Sequence, residues 1–423
     1  MRSSLFVAPI LSMAAAVAVA PLIRMFDART HWTLIGYGPE GARAVIAALA
    51  SSLLTFLVFA FSIMLLAVQV AGGQLSPRII NRIFEAPFIK VALSTFVFSF
   101  SYALAALGRI DDRVPQLPLL IAVVSSLASV ALFLYLIQSA SENLRPVIIL
   151  TQVAADTRSV IAALYPNSLS IRQGAHPGPD VALPPAARTI VHHGRSGVVL
   201  AFNASGLVEI AARSGCTIEL VPQVGDFLAV AEDMFRLYGP RADAVDEAVL
   251  RRCVALGSER ILDNDPAFGF RIIVDISIKA LSPAINDPTT GSLAVDQIHH
   301  LLHLLGQRQL DSGVLRDSSG EVRLLYRAPS WEDFVTQAVT EIRLCGAGSP
   351  QVTRRLRAMF EQLVRVVPAE RSVALRTEMA LLKRTIERTF PDPEDRILAE
   401  TGDLQGFGSR QHLNNPLIKE INL

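Results

Sequence analysis

Ala44 to Val70 reads AVIAALASSLLTFLVFAFSIMLLAVQV, a run without one charged residue. A hydrocarbon core about 30 Å thick takes roughly 20 apolar residues of helix. This stretch is therefore long enough to cross a bilayer, and it decides how its surroundings are read. Three more stretches share its character: Ser4 to Ile23, Phe88 to Leu107 and Leu117 to Gln138. The one charge inside them is Lys90, close to an end, where a long side chain can snorkel to the headgroups. Residues 1–140 carry nine Arg and Lys with five Asp and Glu, while the rest of the chain carries 30 and 33. The expected fold is an α-helical membrane domain of four transmembrane helices over 1–140, followed by a soluble α+β region.

Composition agrees. Of 423 residues, 51% are hydrophobic and 18% charged, against about 25% charged in ordinary soluble domains. A net charge of +1 supplies no basic field for a nucleic acid, which is excluded as a partner. The lipid bilayer is the expected partner.

The first stretch, with Arg2 before it and Ala16-Val17-Ala18 or Ala18-Val19-Ala20 in its second half, resembles a signal peptide with a small-residue cleavage site. Pro21 opposes cleavage at the second position and the first stays open, with retention of the span the expected outcome. Orientation is finely balanced under the positive-inside rule. Arg2, Arg78, Arg82, Lys90, Arg145 and Arg158 fall on one side, and Arg24, Arg29, Arg43, Arg109 and Arg113 on the other. Cys216, Cys253 and Cys345 are too scattered for a metal site or a disulfide framework and suit a reducing compartment. They favour a cytoplasmic C-terminal region. Trp32 and Tyr37 fit an interfacial aromatic belt.

The spans hold no Asp, Glu, His or Arg that would mark a proton or cation relay. They hold small and hydroxylated residues at four-residue spacing: Ser51 and Thr55 in the second span, Thr95 and Ser99 in the third, Ser125 and Ser129 in the fourth. Such faces let helices pack closely, or they line a weakly polar pore built from several copies of the chain. Both readings stand at this level.

Beyond the spans, 141–188 reads as a connecting helix and a Pro/Gly-rich linker. Residues 189–240 read as a small β-barrel or sandwich, with short strands at 198–202, 207–210, 217–221 and 227–230 bounded by turn residues. Residues 241–402 read as a helical subdomain with one hairpin, Val314-Leu315 against Val322 to Tyr326, and 403–423 as a flexible tail. His192-His193 lack further ligands nearby and read as ordinary surface residues.

The densest signal runs from Asp265 to Thr290. Asp265-Pro266, Ser282-Pro283 and Asp287-Pro288 each have the form of an N-cap followed by proline at the first helical position. Arg271, Asp275 and Lys279 form one charged stripe, at i, i+4 and i+8, on an otherwise apolar helix. A buried charged stripe has to be paired. Either these three pair among themselves, or they join Asp265, Asn286 and Asp287 in a polar pocket for a small ligand, an ion or a partner. The chain has four lysines against 35 arginines, which gives Lys279 added weight.

Asp265-Pro266-Ala267-Phe268-Gly269 and Ala280-Leu281-Ser282-Pro283-Ala284-Ile285-Asn286-Asp287-Pro288-Thr289-Thr290 resemble the bacterial membrane proteins of the domain-of-unknown-function 2254 family. The resemblance implies an integral protein of the bacterial inner membrane with no assigned activity. It brings no catalytic residue and no cofactor.

On the following helix Asp296, His300 and His303, with His299 beside them, are weak candidates for a metal; a solvated polar face accounts for the same pattern. No His-Glu-x-x-His, phosphate-loop, dinucleotide or nucleophile-elbow motif occurs, so catalysis is not the expected role. Two classes of function remain. The first is a homo-oligomeric, channel-like pathway for an ion or small solute with a cytoplasmic regulatory region. The second is a membrane-anchored module that senses a ligand or binds a partner. A metal-dependent hydrolase is a distant third.

Overall fold

The computed structural model describes residues 6–30, 36–70, 72–73, 87–110, 114–143, 145–169 and 183–407. Arg2, Trp32, Arg78, Arg82 and Arg113, most of the Pro/Gly-rich linker and the tail from 408 lie outside the described residues. The chain divides into two compact units, 1–149 and 150–423.

Among the described residues, four long helices build the first unit: α1 (Val7–Thr30), α2 (Pro39–Val70), α3 (Pro87–Leu107) and α4 (Gln116–Asn143). α3 packs against the other three. Where α1, α2, α3 and α4 meet, the core is rich in alanine: Ala16, Ala20, Ala42, Ala50, Ala103, Ala106 and Ala122. Small side chains let backbones approach, which is how helices associate where water supplies no driving force. A second core, around Met64, Leu93, Phe96 and Leu136, has larger residues. The outward faces are apolar, with Leu11, Leu65, Leu127 and Leu134 all more than 60% exposed. That inverted pattern belongs to a bilayer and not to water. At one end the Asp27 carboxylate of α1 accepts from the backbone N–H of Gln116 (3.1 Å) and Leu117 (2.8 Å), capping the start of α4.

Five helices among the described residues are long and apolar enough to cross a membrane, one more than the four expected. The addition is α5 (Pro146–Leu164), most of which belongs to the second unit. Its apolar stripe of Leu150, Val153, Ala154, Thr157 and Ile161 is buried, at the spacing of a helix that covers a core on one face. Thr151, Gln152, Arg158 and Ser159 lie on its exposed side.

Among its described residues the second unit has two sheets. The larger has the order β1 (Arg188–Val191), β5 (Asp233–Tyr238), β3 (Thr217–Leu220), β8 (Val322–Tyr326), β7 (Val314–Arg316). Its β3–β8 pair is parallel, with Ile218 opposite Leu324, and the other pairs are antiparallel. The smaller sheet has the order β4 (Phe227–Leu228), β2 (Gly197–Phe202), β6 (Val254–Gly257). Ile190, Val199, Leu207, Ile218, Phe235, Leu237 and Leu324 share one core. The barrel or sandwich expected within 189–240 is thus corrected: the hairpin at 314–326 completes a mixed sheet begun a hundred residues earlier. The strand expected at 207–210 is also corrected. It lies within helix α6 (Ala204–Ser214), which Asn203 caps through Gly206 N–H (3.0 Å) and Gly215 ends at a φ of +63°. Four apolar-leaning residues suit either period, and here the burial of Leu207, Ile210 and Ala211 follows the helical one.

After a short α7 (Glu247–Arg252), the helical layer comprises α8 (Pro266–Ala280), α9 (Pro288–Leu305), α10 (Trp331–Cys345), α11 (Pro350–Val366), α12 (Ala369–Thr389) and α13 (Pro393–Glu400).

Candidate functional site

The Asp265–Thr290 signature folds as helix, corner, helix. Asp265 is buried and caps α8 by accepting from Phe268 N–H (3.0 Å), while Arg260 donates to its other oxygen from Nε (2.8 Å) and Nη2 (2.6 Å). Burial pushes this carboxyl up and the Arg260 charge opposes the shift. Asp287 caps α9 through Thr290 N–H (3.0 Å) and Thr290 Oγ1 (2.6 Å). Between them the Asp287 N–H reaches Ala280 O (2.8 Å), and Asn286 takes a φ of +49°, in the left-handed region. Ser282 does not cap a helix as expected. Its Oγ donates back to Lys279 O (2.7 Å), because residues 282–285 form turns and no helix starts there.

The six signature residues therefore serve separate ends. Asp265 stands at the start of α8 and Asn286 and Asp287 beyond its end, roughly 20 Å apart for a helix rising 1.5 Å per residue. Arg271 pairs with Asp275 (Nε to Oδ1, 2.7 Å) and also reaches Glu341 on α10 (Nη2 to Oε2, 3.1 Å). The hydrogen bond and charge of Arg271 hold Glu341 below the usual carboxylate range. The ladder stops there: among the described residues Lys279 takes no part in these pairs.

The hydroxyl faces divide. Ser99 and Ser129 are fully buried between α3 and α4. Ser99 Oγ donates to Ser125 O (3.0 Å), and Ser129 Oγ lies 3.0 Å from Ser99 Oγ and 2.9 Å from Ser125 O. Ser51 and Thr55 lie on the exposed side of α2, with Thr55 Oγ1 bonded back to Ser51 O (3.1 Å). Thr95 bonds back to Val91 O (3.0 Å).

A polar centre that sequence reasoning did not assemble lies between α9 and α11. Ser292, Asp296 and His299 sit at i, i+4 and i+7 on α9, facing Arg355 of α11. Arg355, 6% exposed, donates from Nε to Asp296 Oδ1, and its Nη2 lies 3.1 Å from His299 Nδ1. Arginine has only donors, so His299 Nδ1 accepts and its proton sits on Nε2. Burial first, then the Arg355 charge, pushes the His299 pKa down to about 4, so the ring is neutral near pH 7. Among the described residues, two atoms here have no partner: Arg355 Nη1 and, on a residue 3% exposed, Ser292 Oγ. Gly406, at a φ of +73°, covers both side chains: a Cβ there would meet Arg355 Cδ at 3.4 Å and Ser292 Cβ at 3.8 Å. Gln351 Nε2 ties this cover down at Gly406 O (2.6 Å). The one signal legible in the sequence was the polar stripe Asp296–His303; no motif marks Arg355 among so many arginines.

The three weak metal candidates have separate surroundings here. Asp296 is taken by Arg355, and His300 Nε2 faces Arg158 Nη1 of α5 at 3.4 Å. His303 is exposed. No group of three His, Cys, Asp or Glu among the described residues is placed to hold a metal.

Apolar-faced helices in one unit and a mixed α/β unit after it define a membrane protein with a substantial extramembrane part. The family model described as Predicted membrane protein (DUF2254) matches residues 2–362, and the chain belongs to that family. It is similar to the uncharacterized proteins Rv1290c of Mycobacterium tuberculosis and Mb1321c of Mycobacterium bovis. Each is 28% identical over 375 residues, covering 85% of this chain and 71% of the relative. No solved structure matches the chain.

Proposed function

We propose that the membrane helices act as an anchor and that the second unit is a cytoplasmic binding module for a small polar molecule rich in oxygen acceptors. The observation that carries this reading is the pair of unpartnered, buried atoms at Arg355 and Ser292. Leaving a buried donor unmet costs about 1–3 kcal/mol, and an oxygen acceptor between α9 and α11 would recover that cost at both atoms. Because Asp296 already balances the Arg355 charge, the acceptor need not be an anion. The serine hydroxyls of α3 and α4 support the anchor, since they bond to one another within a single chain.

The test is the melting temperature of the full-length protein against a panel of carboxylates, phosphates and sugars. At least one class is expected to raise it. The rise should vanish in Ser292→Ala and Arg355→Met, while Ser292→Ala alone leaves the ligand-free melting point unchanged or higher. A panel with no effect, or a rise that survives both substitutions, would sink the proposal.

One observation favours the second reading, an oligomeric ion or small-solute pathway: Ser51, Ser52 and Thr55 occupy the exposed side of α2. Ion flux in liposomes above the empty-vesicle level, altered by Ser51→Leu or Thr55→Leu, is the result that would put this pathway first.

A further inference from the structure

Beyond α13 the chain turns back and runs along α11 against its direction. Gly402 lies beside Glu361 and Ala358, where a Cβ would come within 3.1 Å of Glu361 Oε2 and 3.4 Å of Ala358 Cα. One turn further along α11, Arg354 Nε donates to Thr401 O (3.0 Å) and the Asp403 N–H donates to Arg354 O (3.1 Å). Gly406 then reaches Gln351, whose Nε2 donates to its carbonyl (2.6 Å). From Glu361 to Gln351 the segment follows the helix for about 15 Å, at 1.5 Å per residue.

Its hold is light. Asp403 and Gly406 are buried, but Leu404 and Phe407 are 55% and 77% exposed, and Gln405 is exposed between them. No large apolar side chain of 402–407 is buried against the helix. The segment is held by hydrogen bonds, whose net contribution is modest. Stretches with few buried apolar contacts open locally at far less cost than the whole fold.

What the segment covers is the Arg355 centre, because Gly406 rests on the side chains of both Arg355 and Ser292. Arg355 Nη1 and Ser292 Oγ are shut off from solvent and have no partner among the described residues. An acceptor from outside reaches them only when something beside them moves. The flanking helices α9 and α11 are fixed by buried side chains such as Leu301, Leu356 and Phe360. The 402–407 segment has no such anchor.

We propose that residues 402–407 form a lid that swings about Gly402 to open the Arg355 centre and closes again over its ligand. This rests on the reading of that centre as a binding site. Gly402 supplies the backbone freedom at the hinge, and the Gln351 amide is the latch on Gly406. A fixed cap on α11 is the competing arrangement, and it predicts no opening.

The experiment needs no ligand. Purified full-length protein is treated with phenylglyoxal, which modifies accessible arginines, and the rate at each site is read by peptide mass spectrometry. Arg376, exposed on α12, is the open reference; Arg343, 6% exposed and bonded to Glu378 and Thr385, is the closed one. Arg355 should react more slowly than Arg376 and faster than Arg343. Gln351→Ala removes the latch and should speed Arg355 about fivefold, as expected for one lost hydrogen bond. Gly406→Val, strained at a φ of +73° and pressed against Arg355 Cδ, should speed it at least as much. Arg343 should stay slow in both variants. The proposal is overturned if Arg355 in the unaltered protein reacts as fast as Arg376, or if neither variant speeds it. A rise matched at Arg343 marks general loosening and overturns it too. Arg355 released by Gln351→Ala, with no compound raising the melting temperature, would keep the lid and remove the binding reading. A compound that binds through Arg355 while neither variant alters its reactivity would do the reverse.

Discussion

A Cβ at Gly269 would overlap the Thr157 hydroxyl, so α5 and α8 can meet there only because the residue is glycine. That accounts physically for the glycine of the Asp265–Gly269 signature, whose role is close helix packing and not a ligand. Gly269→Ala should cost about 1–3 kcal/mol through overpacking, read as a lower denaturant midpoint, and Thr157→Ala in the same chain should restore part of the loss. Additive losses in the double variant would mean that the two residues do not meet. His299 makes a prediction of a different kind. Its pKa falls to about 4 in the folded protein, below the roughly 6.5 of a free histidine. The unfolded chain therefore binds more protons between those values, and stability should fall as pH drops from about 6.5 toward 4. His299→Gln should flatten that part of a melting-temperature profile; an equally steep slope in the variant would place the titrating group elsewhere.

At the scale of elements, the two aspartate caps separate structure from binding. Asp287→Ala removes a cap worth about 1 kcal/mol. Asp265→Ala should cost more, about 2–3 kcal/mol, because it also leaves Arg260 without its charged partner. Neither should alter a ligand response centred on Arg355, and an altered response with the fold intact would return the signature to the list of binding sites. These caps were legible because the Asp-Pro pair states a local rule that α8 and α9 obey. Ser282-Pro283 states the same rule, yet the chain is already turning through Asn286 at positive φ and no helix follows. The α6 segment and the β3–β8 pair failed for other reasons. Four residues hold too little periodicity to separate helix from strand, and a parallel partner a hundred residues away leaves no local trace.

For the whole molecule, the spans were legible because a bilayer imposes length and apolarity on every residue of a crossing helix. The polar centre was not, since burial of Arg343, Arg354, Arg355 and Arg371 depends on which helices meet. Orientation hangs on a loop-charge balance of six against five, and Cys345 offers a direct way to fix it. Its thiol is exposed at the end of α10, while Cys216 is buried and Cys253 partly so. Burial and then the Glu341 charge push the Cys345 pKa up, which slows its labelling without preventing it. In a chain with Cys216→Ser and Cys253→Ser, a membrane-impermeant maleimide should leave Cys345 untouched in intact cells and label it once the membrane is opened. Labelling in intact cells would put the second unit outside and would require its ligand to be an external one.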